Sequence, residues 1–115
     1  MQIIRDHITI AELKTMSENM FGGLLKAVVD IEQGIMVVDA DMHADEEELL
    51  LEAHGSKQEH LWGINIFPDK WGTPEAIVFD SMINIRPSWG NRTRGVEDLS
   101  IQKKIKAIVH KFVSI

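Results

Sequence analysis

The stretch KAVVDIEQGIMVVDA, residues 26–40, constrains this chain more than any other. Apolar residues alternate on both sides of Gln33-Gly34, a dipeptide suited to a tight reversal. With a two-residue turn there, Ile31 faces Met36, Val29 faces Val38 and Ala27 faces Ala40. The three pairs share one face, because side chains alternate across a strand. The opposite face carries Asp30, Glu32 and Asp39 among Val28, Ile35 and Val37. One face is therefore clean core and the other is mixed. A hairpin of this kind must be covered to persist in water.

Two segments are built to cover it. Thr9 precedes Glu12 by three residues, a capping box, and Ile10, Leu13, Met16 and Met20 follow at helical spacing. Gly22-Gly23 is the expected stop for that helix, which would run about three turns. Near the other end, Asp98 is an N-cap for a helix whose Ile101, Ile105, Ile108 and Phe112 form one stripe. Lys103, Lys104, Lys106 and Lys111 lie mainly off it. Both stripes pack most economically on the clean face of the sheet.

The remaining strands are expected from three segments. QII at 2–4 reads as a short edge strand. ADEEELLLEAHG, at 44–55, has helix propensity but also reads as one arm of a hairpin turning at HGSK, with Gln58–Phe67 as the other arm. The hairpin reading is favoured, with Glu48–Ala53 as strand. EAIVFDSMINIRP, ending at Pro87, is expected to be the longest strand, with Ile77, Phe79, Ser81, Ile83 and Ile85 on one side. The expected fold is α+β: an antiparallel meander of about four to five strands, with an N-terminal and a C-terminal helix on one face. The mixed face is then open, covered by loops or buried in a homodimer, and a dimer is expected.

Length and composition narrow the function classes. At 115 residues, one domain spanning 1–115 is expected. A net charge of −6 argues against general nucleic-acid binding or docking on acidic membranes. The absence of cysteine removes disulfides, thiolate nucleophiles and cysteine-based zinc sites. MQIIRDHITI lacks the apolar core of a signal peptide, and no apolar run approaches a bilayer span. A cytoplasmic protein is expected.

The chemistry concentrates in INIRPSWGNRTR, residues 83–94. Strand alternation aims Asn84 and Arg86 to one side, with Asp80 before them. Asn91, Arg92 and Arg94 follow in a loop just ahead of a helix N-terminus. Guanidinium forks and helix N-termini both favour carboxylate or phosphate, so these five residues form a candidate anion site. The bland alternative pairs Arg86 with Asp80, Asp30 or Glu32 and leaves Arg92 and Arg94 in solvent. Trp89 either stacks a planar ligand beside the arginines or plugs the loop onto the core.

A weaker cluster is DADMHADEEE, where Asp39, Asp41, His43 and Asp45 would share one side of an extended segment; Asp41, His43 and Asp45 could bind a divalent metal, or His43 and a carboxylate could act as an acid-base pair. No HExxH, EF-hand, phosphate-binding loop, dinucleotide fingerprint or G-x-S-x-G motif occurs, so no cofactor is expected.

VVDIEQGI at 28–35, MHAD at 42–45, GSKQEHLWGINIFP at 55–68 and INIRPSWGNRTR at 83–94 make the chain resemble a family of small prokaryotic proteins described only as a domain of unknown function. The resemblance implies a hairpin around the GS turn and a stand-alone cytoplasmic protein, and it brings no activity. Three functions follow as expectations. The first is a non-catalytic binding or regulatory module for a small anion. The second is a metal-assisted hydrolase using His43 with Asp41, Asp45 or Asp30, and the third is a structural or interaction protein.

Overall fold

A computed structural model describes residues 1–115, the side chain of Phe21 excepted. The chain opens with β1 (Gln2–Ile4) and β2 (Ile8–Thr9), then α1 (Ile10–Ser17). After β3 (Leu25–Asp30) and β4 (Ile35–Val38) comes α2 (His43–Ala53), then β5 (Leu61–Ile66) and β6 (Ile77–Val78). The chain ends in α3 (Leu99–Phe112) and β7 (Val113–Ser114).

Five strands form one antiparallel sheet in the order β1-β4-β3-β5-β6, and β2 pairs with β7 in a separate parallel ribbon. The fold is α+β, as expected. The β4–β5 connection is a helix, so the sheet is not a simple meander. No helix among the described residues is long and apolar enough to cross a membrane.

The clean face behaves as its pattern requires. Ala27, Val29, Met36 and Val38 pack with Trp62, Ile64 and Ile66 of β5 into one buried cluster. Leu13 of α1 and Ile105, Val109 and Phe112 of α3 close it. Both of these helices carry the expected N-caps: Thr9 Oγ1 accepts from the Glu12 amide at 3.1 Å, and Asp98 Oδ1 accepts from Ser100 at 2.8 Å. The first helix ends at Ser17 rather than at the glycine pair. Gly22 and Gly23, both at positive φ, form a separate turn into β3.

The hairpin register differs by two residues from the expected one. Ala27 faces Val38 and Val29 faces Met36, across a loop of Ile31–Gly34. A shift of two preserves the faces. Its cause is Asp30, fully buried, whose Oδ1 accepts from the amides of Glu32 and Gln33 at 2.9 Å each and whose Oδ2 accepts from Ser56 Oγ at 2.6 Å. A side chain that captures its own following amides widens the turn.

Two segments depart from expectation. Residues 48–53 are helix, not strand. The helix-forming propensity of HADEEELLLEA prevails, and Leu50 packs against Val28, Ile35, Val37 and Leu61 on the sheet face opposite α1 and α3. The mixed face is thus buried within the chain by α2, which removes the physical reason for expecting a dimer to cover it.

The second departure is the strand expected over 75–86. It ends after Val78, and short 3-10 turns at Met82–Asn84 and Pro87–Trp89 follow. Asn84 does the work of the missing strand. Its amide donates to the Gly63 carbonyl at 2.9 Å and accepts from the Gly63 amide at 2.8 Å, so one side chain satisfies the free edge of β5.

Candidate functional site

The five residues expected to hold an anion do not converge on one point. Asn84, Arg86 and Asn91 are buried, and the hydrogen bonds their side chains make go to backbone. Besides Gly63, Asn84 donates to the Arg94 carbonyl at 2.9 Å. Asn91 donates to the carbonyls of Asn84, Thr93 and Gly95 and accepts from the Glu97 amide at 2.9 Å. Arg86 donates to the carbonyls of Gln58 and Leu61. Asn84 and Arg86 staple the 79–97 segment to β5, and Asn91 ties that segment to itself. Arg92 is exposed, and its backbone amide donates to the Glu97 carboxylate.

Arg94 goes elsewhere. Its Nε donates to Asp80 Oδ1 at 2.7 Å, in an ion pair about half exposed. Its side chain borders a cavity of about 200 Å³ on the α2 side of the sheet, also lined by Lys26, His43, Asn65, Asp80 and Ser81.

Four chain segments supply these groups. Lys26 and Asn65 are direct partners across β3 and β5. Asp80 and Ser81 sit where the chain leaves β6, and Ser81 presses against Gly63: a β-carbon there would lie 2.5 Å from Ser81 Cβ. Only glycine lets the segment approach so closely. His43 is the first residue of α2, and Met42 and Ala44 flank it on the same cavity wall. Unlike α1 and α3, α2 has no side-chain N-cap, since Met42 cannot provide one.

The electrostatics are specific. Lys26 Nζ donates to the Asp41 carbonyl at 2.7 Å, a neutral acceptor that leaves its charge unmatched. His43 Nε2 lies 2.8 Å from the Ile64 carbonyl, which can only accept, so this nitrogen carries the proton. Burial lowers the imidazole pKa below its usual 6.5, the Ile64 bond opposing, so His43 is neutral at pH 7. Its Nδ1 is then an acceptor. Asn65 Oδ1 is buried without a partner among the described residues. With Lys26 and Arg94 against Asp80, the wall carries one net positive charge in an acidic chain.

His43 stands apart from Asp41 and Asp45, which line a different, acidic groove with Asp39, Glu48 and Glu52. The helix turns Asp45 away from His43. Among the described residues no three His, Asp or Glu side chains are grouped to hold a metal ion.

Sequence reading passed over Lys26 and Asn65 and placed Ser81 only on one side of an expected strand. A signal for Asn65 exists: it is the one polar residue in LWGINI, where asparagine is disfavoured. A further group missed is Glu46. It is fully buried, and desolvation raises its pKa to about 9 even though Ala40 donates to its Oε2 at 3.3 Å.

Residues 2–112 match the model of a family described as a protein of unknown function (DUF5674), and the chain belongs to that family. No curated protein and no solved structure matches it.

Proposed function

We propose that this member of the DUF5674 family is a small binding module whose ligand presents a compact oxyanion, phosphate or carboxylate, to the cavity beside His43. One observation carries the reading: Lys26, Arg94 and the uncapped N-terminus of α2 meet on a single cavity. Each is a device for anions. Lysine offers a point charge, and arginine keeps its Nη donors after Nε is committed to Asp80. The first amides of a helix point outward at the positive end of its dipole. Neutral His43 adds an acceptor, which suits an oxyanion that still carries a proton. The buried trio Asn84, Arg86 and Asn91 serves this site by fixing the segment that bears Asp80, Ser81 and Arg94.

The test is thermal unfolding in phosphate, sulfate and acetate, each against chloride at equal ionic strength. A ligand at one hundred times its dissociation constant should stabilise the fold by about 2.7 kcal/mol. Lys26→Met and Arg94→Gln should each remove most of the phosphate response while leaving the fold intact, because both side chains are peripheral to the apolar core. A response absent in wild type, or unchanged in both variants, would defeat the reading.

A further inference from the structure

We infer a second site, for a small planar carboxylate, in the groove where the 87–89 turn meets the first turns of α3. The lining of this groove, about 510 Å³, includes Ile31, Trp62, Arg86, Trp89, Ile101 and Lys104, and also the carboxylates of Glu59 and of Asp98, the latter engaged as the α3 N-cap. Trp62 belongs to the sheet face packed by α3, so the groove lies across the sheet from the His43 cavity and does not depend on it.

Two buried donors on its wall are unspent. Arg86 is only 7% exposed and Trp62 6%. Arg86 Nε and Trp62 Nε1 are both out of contact with solvent and without an acceptor among the described residues. Proteins rarely bury an N–H group unpaired, so each such group calls for an explanation. Both of these are donors, and they belong to neighbouring side chains: the guanidinium carbon stands 4.3 Å from the centre of the Trp62 ring.

The guanidinium also lacks an ion-pair partner. Among the described residues no carboxylate lies within 4.0 Å of it. Glu47 acts on it only from a greater distance. A nearly desolvated cation whose remaining N–H is free favours an anionic acceptor over a neutral one.

The shape of the groove selects the rest of the ligand. The guanidinium carbon also stands 5.5 Å from the centre of the Trp89 ring, and Trp89 is 52% exposed. Its turn closes at Gly90, in the left-handed conformation at φ 84°. A half-exposed indole on a short turn can swing outward and open space beside the Arg86 guanidinium. The freed space is flanked by flat and branched apolar surface from Trp89, Ile31 and Ile101, with the Lys104 ammonium at the rim. An aryl carboxylate fits all of these: oxygens towards Arg86 and Trp62, ring along Trp89, charge aided by Lys104.

The experiment is a benzoate titration of the ¹⁵N-labelled full chain, following the indole N–H signals of Trp62, Trp71 and Trp89. Trp71→Phe and Trp89→Phe identify them. The Trp62 and Trp89 signals should move saturably while that of Trp71 stays. Trp89→Ala, at an exposed position, should weaken benzoate by roughly tenfold, and Lys104→Ala by less. Benzyl alcohol, with the ring but no charge, should not displace the Trp62 signal. The inference is overturned by a stationary Trp62 signal, by benzyl alcohol matching benzoate, or by unaltered affinity in Trp89→Ala. It is overturned equally by loss of the tryptophan shifts in Arg94→Gln, which would assign them to the other cavity.

Discussion

Glu46 offers the sharpest quantitative test of this fold. Its carboxyl lies wholly beneath the sheet-facing side of α2, one oxygen held by the Ala40 amide and the other, Oε1, without a partner among the described residues. Desolvation raises its pKa from 4.5 to about 9. The folded state therefore holds a proton that the unfolded chain has released at neutral pH. Stability contributed by that proton is fully present below pH 4.5 and falls as pH rises, until the folded carboxyl itself ionises near 9. The slope is about 1.36 kcal/mol per pH unit. Between 4.5 and 7 the loss is about 3 kcal/mol, an upper figure because water entering beside α2 would relieve part of the desolvation.

Glu46→Gln replaces the protonated acid with a neutral amide of the same shape, whose oxygen can still accept from Ala40. Urea unfolding from pH 5 to 8.5 should show the wild type losing stability steadily while the variant stays nearly flat. At pH 7 the variant should be more stable by about 1–3 kcal/mol, with the two converging near pH 5. A glutamate-to-glutamine change at an exposed position would be neutral. Parallel pH profiles for the two proteins would refute the reasoning, since they would mean that Glu46 is hydrated and ionised in the native state.

Two further perturbations probe how the 79–97 segment is held. Asn84→Ala strands both polar groups of Gly63 on a buried strand edge and leaves the Arg94 carbonyl with only the Ser81 amide, so the urea midpoint should fall by the equivalent of about 2–4 kcal/mol. A loss under 1 kcal/mol would mean that water replaces the amide at little cost. Gly63→Ala drives a methyl to within 2.5 Å of Ser81 Cβ and should destabilise by about 1–3 kcal/mol. Ser81→Gly in the same chain should restore much of that loss, and additive effects in the double-mutant cycle would contradict the contact.

How far the sequence could be read depends on whether the information is local. Caps and stripes are local: Thr9 with Glu12, and Asp98 with the Ile101–Phe112 stripe, specify helices whose ends and buried faces follow from spacing alone. The clean face of the hairpin is equally readable, because parity survives even the widened turn that Asp30 imposes. LLLE at 49–52 is different. Its three leucines satisfy either period, and what decides is the sheet face waiting for Leu50, formed by Val28, Ile35, Val37 and Leu61 from three separate strands.

The 79–86 segment fails for a deeper reason. Its alternation is that of a strand, but Ser81 finds room only at Gly63, and Asn84 finds unsatisfied backbone at the same residue. A glycine in one strand and an asparagine in another stretch together convert a strand into two turns, and neither residue announces the other. The candidate site inherits this property. The three arginines of 83–94 read as one patch because they are close in sequence, yet the conversion separates them: Arg86 towards α3, Arg94 towards α2, Arg92 into solvent. Asn84 and Asn91, which looked like ligand-binding amides, are the fasteners that enforce the separation. A polar cluster in a loop is therefore weak evidence for one binding point until each of its donors has been traced to an acceptor. Here that tracing shifts the proposed anion site to the cavity that Lys26 and Arg94 share, where Asp80 balances only one of the two charges.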